Sequence, residues 1–279
     1  MARPANAQQQ MFRTSQVHVV LVLLAFFSLA CEPRVENATA QDSPVAQSQA
    51  EYDIATDLWL TRSQPRRALE HALKAVELDE NNAHARHLVA LLYLDFCSRD
   101  ERECHLDRAE ASARNALAKD EDFREAKNTL GVVLIHRAKY AEAVRVLQAL
   151  SGDILYQTPE NAWGNLGWAY LESGRYEQAI DALSRSVAVQ PSFCVGHFRL
   201  GRAYAKRGDT GSALQAFTNA VSVEHERCKG LQAAYLERAG VLTTLGRRDE
   251  ARADLKRCVE LDRHNAPGRE CTAILARID

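Results

Sequence analysis

The residues of this sequence that could do covalent chemistry are its seven cysteines, and those that could move protons are nine histidines and a few paired acids. None of them forms a catalytic constellation. There is no Gly-x-Ser-x-Gly turn to expose a nucleophile, no His-Glu-x-x-His to hold a zinc, and no glycine loop to cradle phosphates. Acid pairs such as Asp79–Glu80, or Glu101 with Glu103, fall at helix ends and on a loop, where water solvates them. A metal reading of the thiols would start from Cys104 beside His105, or from His197 three residues past Cys194, but no Cys-x-x-Cys occurs. The sequence therefore predicts no enzyme, no metal, no cofactor and no small-molecule substrate. A net charge of -2, with no lysine-arginine block long enough to track a phosphate backbone, argues against nucleic acid as a partner.

Recognition is what remains, and the elements that would support it are written in a pattern that returns every 34 residues. The stretch NLGWAYLESGRYEQAIDALSRSVAVQP, from Asn165 to Pro191, is followed in register by RLGRAYAKRGDTGSALQAFTNAVSVEH, from Arg199 to His225. Gly167, Gly174 and Ala179 recur as Gly201, Gly208 and Ala213. Such a period means stacked two-helix units and not one globular core. Gly167 and Gly201 sit in mid-helix, where glycine costs about 1 kcal/mol against alanine, so a close contact must offset that cost. Gly174 and Gly208 fall where the first helix of each pair stops and suit a left-handed cap. Ala179 and Ala213 open the second helix and let it lie close to the first. With 46% hydrophobic residues and only 13 Gly and 7 Pro, the chain can bury a long continuous interface.

Following the small residue of the second helix gives Ala68, Ala109, Ala143, Ala179, Ala213 and Ala251, separated by 41, 34, 36, 34 and 38 residues. Six hairpins result, at about 49–82, 83–123, 124–157, 160–193, 194–227 and 232–265, with 266–279 as a polar capping helix. The pattern resembles the tetratricopeptide repeat, whose aromatic, Leu-Gly, Tyr, Gly, Ala and Pro positions correspond to Trp163, Leu166–Gly167, Tyr170, Gly174, Ala179 and Pro191. The match is strong in the fourth and fifth repeats and weak in the first two, where Thr56 and Ala90 occupy the glycine position. The resemblance implies an all-α, right-handed superhelical solenoid over residues 49–279. In that family the first helix of each hairpin lines a concave face. The corresponding groove positions here include His84, His87 and Leu91; Asn128, Val132, Ile135 and His136; Asn161, Trp168 and Leu171; and Phe198, Arg202 and Lys206. An apolar and aromatic groove with a few amides suits an amphipathic helix or an extended segment. The clamp with which chaperone-binding members hold a terminal carboxylate is not legible, because its asparagine position holds Val132, Trp168 and Arg202.

The N-terminus carries an address. Val19 to Ala30 is an almost unbroken apolar run of about 12 residues, too short to span a bilayer of about 30 Å, and it reads as the core of a signal peptide over 1–30. Met11 is a second candidate start. The ending Ser28-Leu29-Ala30-Cys31 resembles a bacterial lipobox, which implies acylation of Cys31; Ser28 and Ala30 also suit ordinary signal peptidase, which would release a soluble protein. The segment 31–48 lacks hydrophobic periodicity and suits a flexible tether. Glu32 is not the aspartate that retains lipoproteins in the inner membrane, so the expected destination is the periplasmic face of the outer membrane, held in its lipid through Cys31.

Seven cysteines is an odd number for an exported protein, and setting Cys31 aside leaves six. Cys97 and Cys104 bracket the insertion in the second hairpin. Cys194 opens the fifth repeat and Cys228 sits in the insertion before the sixth, while Cys258 lies in the last repeat and Cys271 in the capping helix. Pairing in that order would add about 2–4 kcal/mol per bridge. Fifteen connectivities are open to six cysteines, and a buried free thiol is the alternative for Cys258.

Repeats, lipid cysteine and cysteine pairs together resemble the type IV pilus biogenesis lipoproteins, the PilF, PilW and Tgl pilotins. The segments TPENAWGNLGWAYLESG and FCVGHFRLGRAYAKRGD look especially like Tgl. The resemblance implies a partner, the type IV pilus secretin, whose assembly in the outer membrane such proteins assist. A generic periplasmic adaptor for envelope or polysaccharide-export assembly would show the same groove and anchor. A soluble regulatory adaptor would require an unmodified Cys31.

Overall fold

A computed structural model describes residues 43–99, 104–226 and 228–278; the signal segment, Cys31 and most of the tether lie outside them. The described residues form thirteen helices: α1 Pro44–Leu60, α2 Pro65–Leu78, α3 Ala83–Arg99, α4 Leu106–Lys119, α5 Arg124–His136, α6 Tyr140–Ser151, α7 Pro159–Glu172, α8 Tyr176–Val189, α9 Cys194–Arg207, α10 Thr210–Ser222, α11 Gln232–Thr244, α12 Arg248–Leu261 and α13 Ala266–Ile278. Proline stands at the start of α1, α2 and α7, where its missing N–H costs nothing and its fixed φ is already helical. Helix α1 begins inside the segment expected to be tether, because Ser43 accepts a hydrogen bond from the Ala46 N–H ahead of Pro44.

Consecutive helices pack as antiparallel hairpins, α1/α2 through α11/α12. The first helices of successive hairpins also touch, α1 on α3 through to α9 on α11, and α13 takes the next place against α11. Among the described residues the backbones of the second helices do not approach one another in this way, although Arg114 of α4 reaches Glu142 of α6 at 2.6 Å. The odd-numbered helices therefore form the tight inner row of a solenoid and the even-numbered ones its splayed outer row.

Small residues set the spacing within each hairpin. Ala68, Ala109, Ala143, Ala179, Ala213 and Ala251 are all fully or almost fully buried. At Gly131, Gly167 and Gly201 an added Cβ would come within 2.5, 2.5 and 2.6 Å of Leu147, Leu183 and Phe217, each sixteen positions on. The bulk of the second helix thus fills the notch that glycine leaves in the first. The first hairpin reverses the trade, with Thr56 in the glycine register and a fully buried Ala72 opposite in sequence. Gly174, Gly208 and Gly246 adopt φ of 76°, 90° and 76° where the first helices end. The third hairpin makes the same turn with Ala138 at φ 55°.

The insertions are fastened to the solenoid. Cys97 is disulfide-bonded to Cys104, Cys194 to Cys228 and Cys258 to Cys271. In the loop between α6 and α7, Asp153 accepts from the Leu155 N–H at 2.9 Å and from Arg124 Nε at 2.7 Å. Tyr156 is buried against Leu150 and Ala162, while Ile154, held between these anchors, is 95% exposed.

Candidate binding groove

Polar residues recur two positions before the packing glycines, at Thr129, Asn165 and Arg199, and they line the inner row. Thr129 and Asn165 are buried, so each needs a partner in the protein. Thr129 Oγ1 lies 2.8 Å from His87 Nε2. The His87 ring meets Phe123 edge-on at 4.8 Å, and Phe123 also contacts His84 at 4.7 Å. Burial, and secondarily the neighbouring His84, push the His87 pKa down to about 4, so it is neutral at physiological pH.

Further along the row, Asn165 Nδ2 donates to Asn128 Oδ1 at 2.9 Å, and Arg199 Nη1 donates to Asn165 Oδ1 at 3.0 Å and to the Gly164 carbonyl at 3.3 Å. The Arg199 guanidinium lies over the Trp168 ring, 4.3 Å from its centroid. The same Trp168 ring makes a T-shaped pair with His136, with centroids 5.1 Å apart. Trp168 Nε1 donates to Glu172 Oε1 at 3.1 Å, and Arg202 Nη1 reaches the same oxygen at 3.2 Å. Arg202 Nε stands 3.9 Å from Glu237. A continuous polar and aromatic strip thus crosses α5, α7, α9 and α11. Burial first, and then the charge of Arg202, lower the Arg199 pKa to about 10, with Glu172 opposing; the group stays a cation. His136 is lowered by burial and by Arg199.

The groove expected from the sequence is only partly of this kind. Asn128, Val132, Asn161, Trp168, Phe198 and Arg202 are half-buried on the inner helices. Asn161 borders a cavity of about 360 Å³ that Thr158, Phe193 and the Cys194–Cys228 bridge also line. Phe198 leans on Phe217 with ring centroids 6.1 Å apart, so much of its surface is spent within its own hairpin. Ile135 and Leu171 do not line the groove. They are 4% and 5% exposed and belong to the central core, because the helix rotates their position toward the neighbouring hairpin. Asn165, Arg199, Glu172 and Glu237 are not among the expected groove residues; for Asn165 and Arg199 the polar position two before each packing glycine was the available signal.

The tetratricopeptide repeat model matches at residues 160–193 and again at 233–265. In sequence the chain is 25% identical over 255 residues to Superkiller complex protein 3 of Mus musculus, covering 88% of this chain and 16% of that one. It is 28% identical over 137 residues to the type IV pilus assembly protein PilF of Pseudomonas aeruginosa, covering 48% of this chain and 52% of PilF. The chain thus spans about half of one relative and a small part of the other. In structure it superposes on PilW, described as a widely conserved type IV pilus biogenesis factor, with TM-score 0.66, 23% identity and coverage of 80% of this chain and 97% of PilW. The Pseudomonas aeruginosa PilF structure gives TM-score 0.63, 20% identity and coverage of 83% and 99%. Two hairpins match the repeat model and four more follow the same plan, so the described residues form a solenoid of tetratricopeptide-type hairpins, the fold that these structural neighbours share.

Proposed function

We propose that this chain is a non-enzymatic scaffold of type IV pilus biogenesis, a Tgl-like pilotin lipoprotein that binds the secretin through its inner face and promotes secretin assembly. The observation that carries this reading is the sequence likeness to PilF over 137 residues, joined to an inner strip of half-buried aromatic, amide and charged groups. A surface of that kind gains affinity by desolvating a few anchors, with Trp168 the largest. Acylated Cys31 would hold the scaffold on the periplasmic face of the outer membrane, within reach of a pore being assembled there.

Deleting the gene should abolish heat-resistant secretin multimers on a blot, and Trp168→Ala should lower them at least severalfold while circular dichroism stays helical. Cys31→Ala should shift the protein out of the outer-membrane fraction. Undiminished multimers in the deletion strain would rule out the pilotin role and leave the envelope or polysaccharide-export adaptor in its place.

A further inference from the structure

We propose that Arg199, with the face of Trp168 and the amides of Asn165 and Asn128, is a receptor for a side-chain carboxylate on an internal segment of the docking partner. The proposal deepens the reading of the inner face as a docking surface. Every contact described for the Arg199 guanidinium is with a neutral group: the Gly164 carbonyl, the Asn165 amide oxygen and the Trp168 ring. Several other cations among the described residues have their anions. Arg238 makes a two-point pair with Asp254 at 2.6 and 2.7 Å, Arg124 meets Asp153 at 2.7 Å, and Glu110 is held by Arg114, Arg137 and Lys139. Among the described residues no carboxylate lies within ion-pairing distance of Arg199. Glu172 acts on it only through space, its Oε1 already taken by Trp168 and Arg202.

A half-buried guanidinium without a counter-charge is costly, and a planar fork lying over an aromatic ring is preorganised for two-point capture of a carboxylate. Both carboxylates of the strip, Glu172 and Glu237, pair with Arg202, which leaves Arg199 without an ion pair. The site lies in the middle of the inner row, with α5 on one side and α11 on the other. A bound chain can therefore run on in both directions, which selects an internal Asp or Glu over a chain terminus. Half-buried Val132 and Phe198 provide apolar surface along the same row.

The test uses the full-length protein with Trp59→Phe and Trp163→Phe, so that emission reports Trp168. It is titrated at matched ionic strength with N-acetyl-glutamate N-methylamide, with the glutamine analogue, and with N-acetyl-alanine. The blocked glutamate should give a saturable emission change, and the neutral glutamine analogue none. Arg199→Gln should weaken the glutamate response at least tenfold. An equal response to glutamate and glutamine, or an unchanged one in Arg199→Gln, overturns the receptor. A response to N-acetyl-alanine alone overturns the internal side chain in favour of a terminal carboxylate. If Arg199→Gln does not fold, the glutamate-to-glutamine comparison in the parent decides by itself. Secretin multimers play no part in this readout, so its failure is distinct from failure of the pilotin role.

Discussion

Ala138, like Ser63, is a non-glycine residue held at positive φ among the described residues. It stands at the left-handed position where α5 ends, with its own N–H bonded to the Ile135 carbonyl and the Lys139 N–H to the Leu134 carbonyl. The same two bonds close α7 at Gly174, whose φ of 76° suits a residue without Cβ. Left-handed geometry costs an L-residue about 1–2 kcal/mol, and glycine returns part of that as unfolded-chain entropy. Ala138→Gly should therefore stabilise the protein by about 0.5–1 kcal/mol in urea unfolding; a loss of stability would mean that the methyl group has a packing role. His87 gives a pH signature. Its folded pKa of about 4 lies below the ordinary value of 6.5. The unfolded chain therefore binds the additional proton between those values, and stability falls as pH drops through that window. Wild type should lose on the order of 2 kcal/mol more than His87→Gln between pH 7 and pH 4. Parallel pH profiles would show that His87 titrates alike in both states. Single-residue roles were the least legible in the sequence: Ile135 and Leu171 look like groove residues by register, and only packing shows that they face the core.

At the scale of elements the sequence was far more explicit, because hairpin packing repeats and a repeated demand leaves a repeated residue. Gly167 and Gly201, Ala179 and Ala213, and Gly174 and Gly208 announce the close contact, the helix crossing and the cap, and the structure places each pair in that role. What the period could not give was the start of α1, where Ser43 and Pro44 begin a helix in a segment of tether-like composition. The two kinds of glycine should behave differently. Gly174 has no heavy atom within 4 Å of an added Cβ, so Gly174→Ala costs only backbone strain, about 1 kcal/mol. At Gly201 a Cβ would sit 2.6 Å from the ring of fully buried Phe217. Overpacking there costs about 1–3 kcal/mol, of which helix propensity returns at most about 1. In a Phe217→Ala background, which copies the Ala72 that goes with Thr56 in the first hairpin, Gly201→Ala should cost less than it does in wild type, whereas Gly174→Ala should be indifferent to Phe217→Ala. Thermal unfolding of the two double-mutant cycles checks this, and additivity at both sites would remove the glycine notch from the account.

For the whole molecule, the asymmetry between rows decides where a partner can dock. The inner helices pack closely on one another and carry the strip from Asn128 to Glu237, while the outer helices are more widely spaced and carry exposed charge such as Arg185 and Glu177. The most direct measurement is site-specific photocrosslinking in cells, with the reactive residue placed in turn at Val132, Trp168 and Arg202 on the inner row and at exposed Gln178 and Gln215 on α8 and α10. The account predicts crosslinks to the type IV pilus secretin from the three inner positions and none from the outer two. Secretin adducts from Gln178 and Gln215 without any from the inner row would contradict it.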